Sequence, residues 1–287
     1  MALAESVSLH PSADTTLMEY YPTNNFGGNE YFNGGTTQNF TTNRALLKFN
    51  LTAIPRGSRI LSATLLLDVI GQPAEPGTPS SFELHRLLRD WGEGNKSGHP
   101  PQQIGLGQPA TTNEATFRDR FAFTTNSWAA PGGMWGVDFA TNVSAETYIY
   151  GIDFSPYLFD STPQFVADAQ LWLNQPGTNF GWLLLSQDEL SNFTARRFAS
   201  REDPNRAPVL TVEYSPPRID SLTVSKGVVT LRFHVEPGWT NVVQYSDGVN
   251  PANWQTLVNI PPLTTGVDLI VTCPVATARR FFRLWLP

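Results

Sequence analysis

The sequence has little cysteine, little histidine and few charged residues. It contains one cysteine and four histidines among 287 residues, and only 15% of the residues are charged. Cys273 cannot form an internal disulfide, and its place in the strand-like run LIVTCPV favours a buried, inert thiol over a nucleophile. No run of about 18 apolar residues occurs, so the sequence predicts no membrane-spanning helix.

Arrangements typical of catalytic sites are also scarce. The four histidines are His10, His85, His99 and His234. They show no metal-ligand spacing, and none pairs with a Gly-flanked serine or with the cysteine. Two carboxylate pairs, Asp90 with Glu93 and Asp188 with Glu189, would suit a glycoside hydrolase only if a pair faced one cleft. Solvated loops or a structural Ca²⁺ are the competing interpretations. We therefore predict no enzymatic activity and no required cofactor, with structural calcium as an open alternative.

The charge distribution excludes one class of partner. The net charge is −6, and the part from Pro217 onward holds six basic and four acidic residues, which leaves the rest of the chain strongly acidic. Binding to nucleic acid needs a clustered basic surface that neutralises phosphates. The sequence therefore predicts no nucleic-acid partner.

Glycine, proline and aromatic residues are plentiful instead. The 22 Gly and 23 Pro are spread along the chain, and aromatic residues make up 12%. This composition is typical of many short strands joined by tight turns, so we expect an all-β protein without long helices. At this length, two domains with separate cores are the default expectation.

Period-two patterns mark the strands, and one segment has a helical period. RALLKFNL places Ala45, Leu47 and Phe49 on one face, which indicates a strand covered mainly on one side. In TPQFVADAQLWLNQPGTN an apolar stripe recurs with the period of a helix, at Phe165, Ala169, Trp172 and Leu173. The Gly/Pro-rich segment from Lys96 to about Thr147 is long for a loop, and such loops often carry function.

A proline-rich junction divides the chain. SPPR at 215–218 predicts one β-sandwich domain over residues 5–215 and a smaller one over 217–287. The smaller part contains short alternating strands joined by turn signals. At the other end, Ala2-Leu3-Ala4 has the A-x-A form of a signal-peptidase site, which predicts export to the cell surface or the extracellular space.

The motifs of residues 5–215 resemble a known family in their order and spacing. They are NFGGNEYFNGG, RALLKFNLTAIPRGSRILSATLLLDV, ELHRLLRDWGEGN, ATFRDRF, WAAPGG, WLLLSQDE, and FASRED with PVLTVEY. Together they are similar to the DNRLRE-domain family of secreted modules. The resemblance implies a jelly-roll β-sandwich and extracellular work on glycans, since some members are carbohydrate-binding modules, including an alginate-directed group. The tail resembles the fibronectin- or immunoglobulin-like modules that end many secreted bacterial proteins.

Aromatic side chains in polar, Gly-rich loops are candidates for glycan binding. Sugar rings present apolar faces that stack on phenol and indole rings. The candidates are Tyr20, Tyr21, Trp91, Trp128 and Trp135. Trp91 and Trp128 lie in motifs of the family, where a core or loop-anchoring role is the alternative.

Arginines supply the second half of the predicted site. Arg196, Arg197 and Arg201 form the densest basic group of the first domain. Strand alternation would place Arg197 and Arg201 on one face, available to sugar hydroxyls and carboxylates. An internal ion pair is the competing role.

Three functions of different class remain open at this point. The leading hypothesis is a secreted, non-catalytic carbohydrate-binding module that recognises an extracellular polysaccharide. The alternatives are an extracellular structural or filament-forming subunit that self-associates through edge strands, and a polysaccharide-degrading enzyme.

Overall fold

A computed structural model describes residues 4–73, 77–98, 105–248, 253–275 and 279–287. Ala2, Leu3 and His99 lie outside these ranges. The described residues form an all-β sandwich with one α-helix, which confirms the predicted fold class. Up to residue 215 the elements are β1 (Glu5–Leu9), β2 (Pro11–Met18), β3 (Asn24–Asn25), β4 (Tyr31–Thr36), β5 (Thr42–Phe49), β6 (Arg59–Leu67), β7 (Val69–Gly71), β8 (Ser80–Leu87), β9 (Gln108–Pro109), β10 (Asp119–Phe121), β11 (Asn126–Ser127), β12 (Phe139–Ile149), β13 (Tyr157–Phe159), α1 (Pro163–Asn174), β14 (Trp182–Ser186), β15 (Arg196–Ala199) and β16 (Val209–Ser215).

Two antiparallel sheets enclose the first core. The smaller sheet has four strands in the order β1-β16-β6-β13, and the larger one has eight, ordered β12-β8-β14-β5-β4-β15-β7 with β2 paired to β5. Leu65 and Val212 of the smaller sheet share one buried cluster with Leu47 and Phe82 of the larger sheet. Burial of apolar surface between the sheets is the main force that holds the sandwich together.

A second buried cluster lies on the opposite face of β5 and β14. Leu46 and Leu183 point away from the first core and are fully buried by residues of the long segment that follows β8, among them Trp91, Trp128 and Phe139. The expectation that β5 is covered mainly on one side was therefore wrong. Its second face is covered because this segment folds back over the sheet and supplies its own aromatic anchors.

The helix confirms the prediction made from the apolar stripe. Thr162 caps its N-terminus by accepting a hydrogen bond from the backbone N–H of Phe165, and Pro163 occupies the first turn. Phe165, Ala169, Trp172 and Leu173 are buried in the first core. Asp168 is buried with them, and its carboxylate is satisfied by hydrogen bonds from Arg86, Ser144, Gln164 and Trp182.

The apolar run SRILSATLLLDVIG forms two strands rather than one. β6 pairs with β16 and β13 in the smaller sheet, whereas β7 pairs with β15 in the larger one. The break falls at Asp68, whose side chain accepts a hydrogen bond from Ser155 and whose carbonyl accepts one from Ala199. The chain thus changes sheets at this residue, which brings β7 beside β15.

The last part of the chain has a separate core. Its strands are β17 (Ser221–Ser225), β18 (Val228–Val235), β19 (Asn241–Ser246), β20 (Gln255–Ile260), β21 (Val267–Pro274) and β22 (Phe281–Trp285). They form two three-stranded sheets, β17-β18-β21 and β20-β19-β22. Leu231, Phe233 and Val243 lie at the centre of their shared cluster. Cys273 on β21 is buried, as the sequence predicts.

Candidate functional site

Three of the residues predicted from sequence line one open cleft. Tyr20, Tyr21 and Arg197 lie along a cleft of about 430 Å³. Side chains with amide or hydroxyl groups make up much of the remaining lining: Asn33, Thr37, Gln38, Asn39, Thr41, Asn43 and Gln72. Such groups donate and accept hydrogen bonds without carrying charge. The cleft therefore combines rings, neutral polar groups and a guanidinium.

Strand pairing in the larger sheet brings these residues together. Arg197 on β15 lies opposite Asn33 on β4 and Gly71 on β7. β2 ends at Met18, opposite Asn43 on β5, so the tyrosines that follow it emerge at the same edge. None of these pairings can be read from the sequence, because the paired segments are far apart along the chain. The amide side chains were missed for this reason.

The turn between β4 and β5 has a backbone held by its own hydrogen bonds. The backbone N–H of Thr37 donates to the carbonyl of Thr41 at 2.9 Å, and their hydroxyl oxygens lie 2.7 Å apart. Phe40 adopts a φ of 59°, in the left-handed region, at the exposed tip. This network fixes the backbone that carries Gln38 and Asn39 at the rim of the cleft, which lowers the backbone entropy that a ligand must remove on binding.

Tyr20 and Tyr21 form an edge-to-face pair at the cleft. Their ring centroids are 4.8 Å apart with an interplanar angle of 84°, and Tyr20 is 58% exposed. Edge-to-face packing is a favourable geometry for aromatic rings, so each ring holds the other in place. The pair thus places an exposed Tyr20 ring beside the Tyr21 ring, and both line the cleft.

Arg197 is also held in place by a ring. Its guanidinium carbon lies 4.8 Å from the centroid of the Tyr31 ring. Burial raises the pKa of the Tyr31 hydroxyl, although the nearby Arg197 charge opposes the shift. Gly71 leaves the space that the arginine stem occupies, because a Cβ at that position would lie 3.0 Å from Arg197 Cδ. The guanidinium is therefore positioned before any ligand arrives.

Arg196 lies beside Arg197 but has a different role. It is almost completely buried, and its two terminal nitrogens donate to backbone carbonyls of Phe193, Thr194, Ala195, Thr78 and Tyr150. Burial lowers the pKa of this guanidinium. Strand alternation places the two arginines on opposite faces of β15, and Arg196 ties neighbouring loops together at the cleft wall.

Arg201 does not share a strand face with Arg197. β15 ends at Ala199, so Arg201 lies in the following turn and points to a different surface. Its side chain forms ion pairs with Glu93 at 2.8 Å and Glu202 at 2.9 Å, and it donates to the carbonyl of Ser12. The alternation argument failed because the strand is shorter than the pattern suggests. Arg201 instead takes the competing role given in the sequence analysis, an internal ion pair.

Carboxylates crowd around Arg201. Burial raises the pKa of Asp14 well above its usual value. Burial also raises the pKa of Glu93 to about 7, although the Asp14 backbone N–H and Arg201 oppose this shift. The Glu93 carboxylate accepts a hydrogen bond from the backbone N–H of Asp14 at 2.8 Å. One carboxylate oxygen of Asp14 in turn accepts a hydrogen bond from the backbone N–H of Arg201 at 2.8 Å. This cluster joins β2, the segment after β8 and the turn after β15, away from the cleft.

Trp91 and Trp128 are buried and do not reach the cleft. Both belong to the second core, where Trp91 Nε1 donates to the Phe180 carbonyl at 2.8 Å and Trp128 Nε1 to the Thr116 carbonyl at 2.9 Å. A ring that is satisfied and covered in this way anchors its loop. In the described part of the Lys96–Thr147 segment, Trp128 thus helps to cover the sheet, whereas the residues from Phe139 onward belong to β12 of the sheet itself.

Trp135 is exposed on another surface. It is 45% exposed and packs edge-to-face on His85 with centroids 4.6 Å apart. His85 itself is buried, with Nε2 3.0 Å from a Glu83 oxygen and Nδ1 3.1 Å from the Ala140 carbonyl. Trp135 is not part of the cleft lining, so the structure does not bring it together with Tyr21 and Arg197.

The carboxylate pairs do not form a convergent acidic site. Asp90 pairs with Lys48 at 3.2 Å, and Glu189 with Arg44 at 2.7 Å, while Asp188 is exposed. Within the described ranges, no group of three or more His, Cys, Asp or Glu side chains is placed to hold a metal ion. No helix in the described part of the chain is long and apolar enough to cross a membrane.

No family model matches this chain, and no curated protein matches it. The resemblance to the DNRLRE-domain family therefore rests on the sequence motifs alone.

Proposed function

We propose that this protein is a secreted, non-catalytic carbohydrate-binding module that recognises an extracellular polysaccharide. The observation that carries the proposal is the cleft in which Tyr20, Tyr21 and Arg197 meet a set of amide side chains. Rings supply stacking area for the apolar face of a sugar, and the amides and the guanidinium supply hydrogen bonds to its hydroxyls.

The geometry favours binding over bond cleavage. None of the described residues that line the cleft is Asp or Glu, whereas most glycoside hydrolases place two carboxylates across the scissile bond. The tyrosine pair and the Arg197–Tyr31 stack are held by their neighbours. Such preorganisation reduces the ordering cost of binding.

Affinity electrophoresis tests this proposal directly. We expect the native protein to be retarded in gels that contain at least one of the soluble polymers xylan, laminarin, pectin or alginate. The Tyr21→Ala variant should be retarded much less than the native protein, because it loses a ring that lines the cleft. Incubation with the same polymers should release no reducing ends. Unretarded migration in every gel contradicts binding, and release of reducing ends contradicts a non-catalytic role.

A structural subunit is the second candidate, and one observation favours it. Leu222 and Val224 of edge strand β17 lie opposite the buried Leu231 and Val229, so they share their core-facing side. Both are nevertheless exposed. Exposed apolar side chains on an edge strand are a ready surface for self-association. Sedimentation velocity over a range of concentrations distinguishes a self-associating subunit from a monomeric binding module.

A further inference from the structure

Three exposed aromatic rings form a continuous row beside the cleft. Tyr148, Tyr150 and Phe154 are 48%, 57% and 67% exposed. Ring centroids are 4.8 Å apart between the two tyrosines and 5.6 Å apart between Tyr150 and Phe154. We call these three residues the aromatic row. Large exposed apolar groups that touch one another usually mark a binding surface.

The backbone that carries this row is tied to the wall of the cleft by two hydrogen bonds. Gln72, which lines the cleft, accepts a hydrogen bond from the backbone N–H of Ile152 at 3.0 Å. Arg196, which lines it as well, donates to the carbonyl of Tyr150 at 3.3 Å. The backbone that carries the aromatic row therefore contacts two residues of the cleft wall.

The contact at Gln72 is close and specific. Gly151 brings its Cα near this amide, since a Cβ there would lie 2.9 Å from Gln72 Oε1. The Tyr157 hydroxyl fixes the same segment by accepting from the N–H groups of Tyr150 and Gly151 and donating to the carbonyl of Gly151. The row is thus anchored relative to the cleft, although its rings face solvent.

We infer that the cleft and the aromatic row form one extended groove, in which a glycan chain held at Tyr21 and Arg197 continues past Gln72 to stack on Tyr150 and Phe154. This inference rests on the proposed function. The protein would then bind internal segments of a polysaccharide chain, because contact with both the cleft and the aromatic row requires several linked sugar units. Phenol and phenyl rings offer contact area at low entropic cost.

The extended groove implies a dependence of affinity on chain length. In this proposal a trisaccharide occupies the cleft alone, whereas an octasaccharide also contacts the aromatic row. One or two additional ring contacts correspond to about a tenfold gain in affinity. We expect this gain for the longer ligand.

Calorimetric titration tests the inference. The ligands are trisaccharide and octasaccharide fragments of the polymer that retards the protein, whether xylan, laminarin, pectin or alginate. The double variant Tyr150→Ala/Phe154→Ala should bind the octasaccharide about tenfold more weakly and the trisaccharide unchanged. Tyr21→Ala should weaken binding of both. Phe123→Ala is the matched control, because this ring is 77% exposed but lies in the β10–β11 turn. Melting curves should coincide for all variants.

Each other outcome has a defined meaning. If the native protein binds both fragments equally, or the double variant keeps the preference for the octasaccharide, the extended groove is wrong and the binding function stands. If neither fragment nor any polymer binds, both proposals fail. If the native protein self-associates in sedimentation and the double variant does not, the aromatic row is a contact between copies of this chain, which contradicts the groove.

Discussion

The guanidinium of Arg197 lies 4.8 Å over the ring of Tyr31, on neighbouring strands of the larger sheet. The stack restrains a long side chain that would otherwise sample many rotamers. It also leaves the planar edge of the guanidinium, with its N–H donors, available for hydrogen bonding. This arrangement explains why the arginine can act as a positioned donor beside the neutral polar side chains of the cleft.

The stack leads to a prediction about charge and shape. Arg197→Lys keeps the positive charge but loses the planar fork and the ring stacking, so we expect affinity for the bound polymer to fall roughly tenfold. Tyr31→Phe retains the ring and serves as the control, with affinity near that of the native protein. Equal affinity of Arg197→Lys and native protein in calorimetry would show that only charge matters.

Tyr21 and Trp135 should behave differently although both are aromatic candidates. Tyr21→Ala should lose affinity by about tenfold with an unchanged melting curve, because its ring lines the cleft. Trp135→Ala should retain affinity, because its ring lies outside the cleft lining on His85. The paired measurement is melting and calorimetry. If only Trp135→Ala loses affinity, the binding site lies on the surface around Trp135 and not in the cleft.

The two buried tryptophans should affect stability. Trp91→Ala and Trp128→Ala each remove a large ring from the second core, which should lower the free energy of unfolding by about 3–5 kcal/mol. Each also leaves a backbone carbonyl without its indole donor. Urea unfolding measures the effect, with Phe123→Ala as the exposed control. A change under about 1 kcal/mol is inconsistent with an anchoring role.

Glu93 should make stability depend on pH. Its folded-state pKa of about 7 lies above its usual value of 4.5, so the folded protein holds this proton more tightly than the unfolded chain does. The contribution of the Glu93 proton to the free energy of unfolding is therefore complete below about pH 4.5 and is lost as the pH rises towards about 7. Asp14, whose pKa is also raised, acts in the same direction.

The variant Glu93→Gln isolates this contribution. Its amide oxygen can still accept the Asp14 N–H but cannot titrate. Between about pH 5 and pH 8 the native protein should lose about 1 kcal/mol more stability than the variant in urea unfolding, allowing for solvent screening of this partly exposed group. Parallel pH profiles of the two proteins would contradict the raised pKa.

The two predicted domains should be separable. Residues 5–215 contain the first and second cores, and the third core contains only residues of the following segment. A fragment of residues 5–215 should therefore unfold cooperatively and bind the same polymer. Circular dichroism and affinity electrophoresis check both points. A non-cooperative or aggregated fragment would mean that the tail is needed for folding.

Local patterns in the sequence were sufficient for the class of fold. The alternation in RALLKFNL and the stripe from Phe165 to Leu173 reflect the side-chain periods of a strand and of a helix. Such periods can be read from a short stretch of sequence without knowledge of the rest of the fold. Turn residues between the strands, and the SPPR junction, follow equally local rules. Tyr20, Tyr21 and Arg197 were identifiable as candidates because their chemistry suits a sugar. The burial of Cys273 was likewise predictable from its apolar neighbours.

Only the tertiary structure decided which candidates meet. Strand pairing in the larger sheet places Arg197 opposite Asn33 and beside Gly71, and no local pattern specifies a partner so distant in the chain. The same holds for Trp91 and Trp128, whose loop positions are compatible with exposure until the segment after β8 folds back over Leu46 and Leu183. Burial and pairing are properties of the folded chain, because each depends on surfaces that separate segments create only when they pack together.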